Sequence, residues 1–328
     1  MVGCYTDCTR KMDKVGDGEV KDFHPFSGEG QFYRGALHTH TLRSDGALSV
    51  EETIAAYVAA GYDFMAITDH QRYWRKSSPD ITILNGMEMN GTIRHGEAKV
   101  WHHLLCIGAG EEPYRHEQEF PMGDFDDIAL AQAQVDAFTD GGKNLIAIAY
   151  PEWTQMALDD YEALEGFWAI EVFNNGIFLD KEIGYTLGPW DTLLKSGKRV
   201  YGIASDDAHQ SDQFDGGWMM VWAADNSPRA LTDALREGRF YATTGPSIES
   251  FYVKDGVLVV RSSPCRRIVC YTGDAEIPPI ATYNVSGAPV YEASYPIKES
   301  YRYMRVQCVD EDYQMAFSQP IWLEDLAD

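Results

Sequence analysis

The chain is 328 residues long, enough for one large barrel-like domain or two ordinary ones, and 45% apolar and 12% aromatic residues allow a sizeable buried core. A formal net charge of -24 repels phosphate backbones and anionic lipid, which argues against nucleic acid and membrane surfaces as partners. A small anionic substrate is not excluded, because divalent cations invert the local field of an acidic site.

The opening "MVGCYTDCTRKMDKVGDGEV" holds no apolar run of signal-peptide type, and no uncharged stretch is long enough to span a bilayer. Cys4, Cys8, Cys106, Cys265, Cys270 and Cys308 show no dense disulfide spacing and no CxxC pair, so a reducing, cytoplasmic setting is expected. Residues 1–30 read as an irregular extension. "FYRGAL" then reads as a strand, and "SVEETIAAYVAAG" as a helix with Ser49 as cap, Glu52 completing a capping box and Gly61 as stop. "YDFMAITDH", "ITILNGMEM" and "VWHHLLCIG" are strands. In "DFDDIALAQAQVDAFTDGG", Ile128, Ala131, Val135 and Phe138 recur at helical spacing. The strands "NLIAIAYP" and "FWAIEVFN", the helix "PWDTLLKSG", the strands "RVYGIASDD" and "GWMMVWA" and the helix "SPRALTDALREG" follow. Strands alternating with helices over residues 31–245 predict a parallel α/β fold, and so many units in so short a chain suit a closed barrel better than an open sheet. Residues 246–328 carry short β-type segments with Gly and Asp at turns, and predict a small antiparallel, sandwich-like β domain.

Metal-type side chains cluster at the predicted strand ends, where a parallel barrel gathers its functional groups. In "LHTHTLRSDG", His38 and His40 would face the same way if the extended chain continues, a poor arrangement for a core and a good one for a divalent cation. Asp45 lies in the loop that follows, His70 ends its strand, Glu88 is near the end of the next, and Asp207 and His209 follow "YGIAS". His103 lies early in its strand; its neighbour His102 must point the other way, so one of the two is a candidate ligand. His24, His95 and His116 read as solvated loop residues. Asp69 reads as a cap for the loop after it, and Asp206 as a group that orients a ligand. Glu171 suits hydrogen bonding at the rim and orientation of a ligand equally.

Taken in order, "LHTHTLRSDG", "GYDFMAITDH", "GMEMN", "HHLLCIG" and "ASDDAH" resemble the polymerase-and-histidinol-phosphatase (PHP) superfamily, and "REGRFYATTGP" with the β tail looks like a stand-alone, carbaryl-hydrolase-like branch. The resemblance implies a distorted (β/α)7 TIM-like barrel that binds two or three divalent ions (Zn, Mn or Fe). It implies that His38, His40 and Asp207 hold one ion, that Glu88 bridges to a second on His103, and that Asp45, His70 and His209 hold a third. The family has histidine where this chain has Tyr150, so the second ion is expected to bind more weakly. The implied activity is hydrolysis of a small phosphorylated or nucleotide substrate by water activated on the cations. Glu88, Asp207 and His209 would be the catalytic groups, and Arg72, Arg75, Arg94 and Tyr150 candidate contacts to the substrate. A carbamate, ester or amide hydrolase with the same centre and a non-enzymatic metal-dependent binding module are the alternatives.

Overall fold

A computed structural model describes residues 20–73, 76–108, 118–274 and 276–327. Strand β1 (Gln31–Ala36) leads to helix α1 (Val50–Ala59), whose N-terminus is closed by the reciprocal Ser49–Glu52 capping box. Next come β2 (Phe64–Ile67), β3 (Thr82–His95), β4 (Ala98–Gly108), α2 (Ile128–Thr139), β5 (Asn144–Ile148) and β6 (Ala169–Asn174). Helix α3 (Leu187–Ser196), β7 (Tyr201–Ser205), β8 (Trp218–Ala223), α4 (Pro228–Arg236) and β9 (Phe240–Thr243) complete this half. Strands β1 to β7 lie side by side in chain order. Past the ends of β1 and β7 the chain pairs once more, in parallel, through Thr39 and Ala208, with His40 N–H donating to the Ala208 carbonyl at 3.1 Å and Asp207 N–H to that of His38 at 3.0 Å. The first and seventh strands therefore meet at the rim.

The sheet is not wholly parallel. β3 and β4 form an antiparallel hairpin turning at Gly96 (φ 59°), and β4 is antiparallel to β5 as well. The cause is local: only two residues separate the strands, too few for the crossover a parallel pair needs. His95, expected in a loop, is the last residue of β3. The hairpin also accounts for the early position of His103. Because β4 runs against its neighbours, its first half lies at the rim where the parallel strands end.

Beyond β9 the chain forms β10 (Ile248–Lys254), β11 (Val257–Cys265), β12 (Arg267–Tyr271), β13 (Val290–Pro296), β14 (Tyr303–Val309) and β15 (Met315–Ser318). β15, β14 and β12 extend the first sheet through β9, and β10, β11 and β13 make a separate three-stranded sheet. A second apolar core that includes Phe251, Val260, Tyr295, Val306 and Cys308 lies among these strands. The large sheet thus runs past residue 246 without a break. Part of the expected N-terminal extension also joins in, Phe23 pairing with Val253 and Val20 with Ala327.

One buried ion pair ties the halves together. Arg305 of β14 has no exposed surface, donates from Nε to Asp191 of α3 at 2.9 Å, and stacks its guanidinium 4.4 Å from the Trp190 ring and 4.0 Å from that of Tyr271. Removing one partner of such a pair strands a buried charge, so Asp191→Ala should lower unfolding stability by about 3–5 kcal/mol. Urea titration followed by circular dichroism measures this; a loss below about 1 kcal/mol would show that Arg305 finds another partner.

Candidate metal centre

Two segments that leave strand ends, after β1 and β7, converge with the middle of β3 on one point. His38 and His40 lie on the extended chain after β1, and their Nε2 atoms are 3.1 Å apart. Each Nε2 is also 3.2 Å from Glu88 Oε2 and 3.1 Å from Asp207 Oδ1. Four donors arranged tetrahedrally about 2.0–2.1 Å from a central ion lie roughly 3.3 Å from one another. The observed spacings approach that shape, and all four side chains are buried. The hydrogen-bond account points the same way. His38 Nδ1 is 2.8 Å from Glu171 Oε1, which places the ring proton there and turns the Nε2 lone pair inward. Asp207 Oδ1 and His70 Nδ1 are buried and make no hydrogen bond of their own. Converging lone pairs and an orphaned carboxylate oxygen repel one another unless a proton or cation lies between them, so these residues fit a divalent ion.

A second group opens toward solvent. His40, Asp45, His70 and His209 also gather potential ligand atoms within 4.8 Å of one another. Asp45 Oδ2 is 3.3 Å from His70 Nε2, and Asp45 Oδ1 is 3.4 Å from His209 Nε2. His209 Nδ1 donates to the Asp207 carbonyl at 3.0 Å, which leaves Nε2 to face the group. His40 thus belongs to both groups, which the sequence did not suggest. Among the described residues these are the two clusters of this kind.

The third expected position is differently built. Glu88 Oε1 lies 2.9 Å from His103 Nδ1, and the Tyr150 hydroxyl hydrogen-bonds both atoms. Burial first, then the Glu88 and Asp207 carboxylates, push this hydroxyl well above its usual range, so it stays protonated. His102 points away, with Nδ1 3.4 Å from Met156 Sδ, and burial lowers it to about 3.

Glu171, Asp69 and Asp206 lie behind the ligand groups. Glu171 accepts from the Tyr150 backbone N–H at 2.9 Å, from Asn174 Nδ2 at 2.9 Å and from Ser205 Oγ at 2.5 Å while holding His38. Asp69 reaches back instead of forward, accepting from Thr41 N–H, Thr41 Oγ1 and Ser44 Oγ, each at 2.8 Å, and so shapes the loop that carries Asp45. Asp206, expected to orient a ligand, accepts from the backbone N–H groups of Asp215, Gly216 and Gly217 at 2.8–3.2 Å. It holds a loop. Of the two readings the sequence left even for Glu171, both describe it here: it hydrogen-bonds along the rim and holds His38; an ionised residue in the buried strand "AIEVFN" requires such partners.

The cationic candidates do not enter the centre. Arg72 pairs with Glu119 at 2.9 Å and Arg94 with Asp126 at 3.1 Å, both at the surface. Arg75 and His116 lie outside the described residues.

No family model matches the chain. The DNA polymerase/3'-5' exonuclease PolX of Bacillus subtilis is 50% identical over 54 residues, a match spanning 16% of this chain and only 8% of that protein. Among solved structures, a two-domain protein of Bacteroides vulgatus described as containing a predicted PHP-like metal-dependent phosphoesterase is similar at 13% identity and a TM-score of 0.45, covering 95% of this chain and all of that one. The lesion-specific endonuclease EndoQ of Pyrococcus furiosus is similar at 12% identity and a TM-score of 0.39, over 62% of this chain and 56% of that one. These matches do not bear on the narrower carbaryl-hydrolase-like branch.

Two measurements probe this geometry. Glu171→Gln keeps the side chain's size but weakens its hold on the His38 proton, so affinity for Mn2+ should fall about 10–100-fold with the fold intact. Calorimetric titration reads this, and unchanged affinity would remove Glu171 from the centre. In cation-free protein, burial works against the charged imidazoles, but Glu88 and Asp45 lift His70 to about 10, and Asp45 and Asp207 lift His209 to about 9. Both lie above the value near 6.5 of an unfolded chain. Their contribution to stability is therefore complete below about pH 6.5 and disappears as pH rises through about 9 to 10. Thermal melts in EDTA should fall across that window, and the fall should shrink in the His70→Gln, His209→Gln double variant, which leaves the similarly raised His38 in place.

Proposed function

We propose that this chain is a divalent-cation-dependent hydrolase of small phosphoesters, built on a distorted seven-stranded barrel whose rim carries the site. The observation that carries the reading is the near-tetrahedral convergence of His38, His40, Glu88 and Asp207. The barrel reading is supported by seven strands in chain order and by the rim pairing of Thr39 with Ala208. His38, His40, Glu88 and Asp207 would hold one ion, and His40, Asp45, His70 and His209 present donors for another. Bound cations of this kind lower the pKa of a coordinated water toward about 7 and offset charge that develops on phosphoryl oxygens. His209 serves here as a ligand and not as a proton donor, because its Nδ1 is held by the Asp207 carbonyl and only Nε2 faces the group. Asp207 and Glu88 act by holding charge in place. Both are far below the usual carboxylate range: burial works against this, but His38 and His40 act on Asp207, and His70 and His38 on Glu88.

A specific observation favours a second reading. Arg72 and Arg94 are both paired with carboxylates, so neither presents a free guanidinium to an anion. An uncharged ester, carbamate or amide would not need one. Surface pairs of this sort are worth only about 0–1 kcal/mol, so a phosphate can displace them, and the phosphoester reading stands first. Protein loaded with Mn2+ should hydrolyse p-nitrophenyl phosphate or a nucleotide monoester faster than p-nitrophenyl acetate. The reverse order selects the second reading, and no turnover with intact metal binding selects a binding module. Asp207→Asn should reduce kcat/KM by at least about 100-fold, the scale found for merely misorienting a ligand, with circular dichroism unchanged. Near-wild-type activity in that variant would remove Asp207 from the site.

A further inference from the structure

We infer that Tyr150 occupies the third corner of the centre as a hydrogen-bonding phenol, so that the site takes two cations and not three. This rests on the cation-dependent reading above and limits its stoichiometry. The corner is a closed set. With the proton on His103 Nδ1, the imidazole and the Tyr150 hydroxyl supply one donor each, and Glu88 Oε1 accepts both. Each of the three atoms of the triangle has a partner within it; the buried atom of His103 left without one is the ring's other nitrogen, Nε2. A cation placed there would have to displace the phenol and would then keep only Glu88 and His103 as protein ligands.

It would also need water, and the corner is nearly dry. Tyr150 and His103 are 6% and 4% exposed. The Trp101 and Trp153 rings stand edge-on to His103 at centroid distances of 5.5 and 5.9 Å, and stack on each other at 6.2 Å. Tyr150 itself stacks on His38 at 5.8 Å. An ion with two protein ligands cannot complete a shell of four to six donors against aromatic walls.

The backbone shows that the phenol is held there on purpose. Tyr150 has φ 29° and ψ 61°, a left-handed conformation costly for an aromatic residue, and its N–H is fixed by buried Glu171 Oε2 at 2.9 Å. The same carboxylate that orients His38 therefore also sets Tyr150. One brace serves the cation group and the corner that excludes a cation.

Tyr150 is by this account a positioning residue: it aligns Glu88, whose other oxygen faces His38, His40 and His70. The test is metal stoichiometry. Wild-type protein, Tyr150→His and Tyr150→Phe are dialysed against excess Mn2+, and bound manganese per chain is measured by mass spectrometry, with sites located by anomalous scattering. Wild type should bind two equivalents, with no peak between Glu88 and His103. Tyr150→His should gain a third equivalent at that position, because it removes the phenol and supplies a nitrogen donor. Tyr150→Phe lacks the hydroxyl but offers no new ligand; it should keep two equivalents and bind the buried one more weakly, as Glu88 loses its alignment. A third peak in wild type overturns the inference, as does a folded Tyr150→His that still binds two. If Tyr150→His does not fold, Tyr150→Phe decides: unchanged affinity at the buried group overturns the inference, and weakened affinity supports it. Failure of wild type to bind manganese at His38 and Asp207 would instead overturn the cation-dependent reading itself.

Discussion

A carboxylate with no exposed surface must find positive charge or hydrogen-bond donors for both of its oxygens, and Glu88 draws them from segments that follow or belong to four different strands. Oε2 faces the imidazoles of His38, His40 and His70 at 3.0–3.2 Å; Oε1 faces His103 and the Tyr150 hydroxyl. Asp207 and Glu171 are buried beside it. Withdrawing each such ion from water costs several kcal/mol, even after the protein relaxes around it. The rim therefore works against folding unless the imidazoles carry protons or cations lie among them. The apolar interior below, from Leu84 and Leu105 to Ala147 and Ile203, must supply the difference. That division is typical of a site kept for chemistry: stability comes from the strands, strain collects at their ends.

The strain can be read residue by residue. Gln71, Tyr150 and Asp207 all have positive φ, at 55°, 29° and 48°, and each is a site residue or the immediate neighbour of one. Backbone of this kind persists only where its surroundings over-determine it. For Asp207 the determinant is the rim pairing, in which its N–H is fixed to the His38 carbonyl. Close approach matters at one glycine in particular. The loop carrying Asp45 folds back so tightly that a Cβ on Gly46 would lie 2.6 Å from the His40 carbonyl carbon. Only glycine lets Asp45 reach His70 and His209 from a segment that also hands on His40.

How much of this the sequence disclosed depends on whether a residue acts through its spacing or through its partners. His38, His40, His70, Asp207 and His209 could be picked out because each sits at or just past a strand end, a position read from hydrophobic runs; Glu88 lies in the middle of β3, which runs on to His95 past the apolar run that suggested its end. His103 obeyed the same geometry, but its strand direction was hidden: a two-residue connection, not the apolar pattern, makes that strand antiparallel. Glu171 and Asp69 could be listed but not placed, since their roles come from contacts across 133 and 25–28 residues of chain. Arg72 could be named only as a candidate contact, because proximity in sequence to His70 says nothing about Glu119, which lies outside any local pattern. The tail was read as separate from the change in texture after residue 245. Backbone pairing ignores that change, and β9 passes the sheet directly to β15.

Charge arithmetic connects the buried centre to an overall acidic protein. On the proposed reading, the inner group places two carboxylates, Glu88 and Asp207, against one dication and is neutral. The outer group has one carboxylate, Asp45, and otherwise imidazoles, so a dication there keeps one positive charge. That group is also the accessible one: Asp45, His209 and His70 side chains are 54%, 27% and 18% exposed, while His38 and Glu88 have no exposed surface. On that reading the excess positive charge faces solvent at the mouth of the site, on a chain whose formal net charge is -24. Such an arrangement would draw a small anion toward the outer group at short range, while the net negative charge of the whole chain would oppose an extended polyanion. On the proposed reading, that field would disfavour a long nucleic acid and leave a compact phosphoester admissible, so that selectivity by size would need no dedicated arginine.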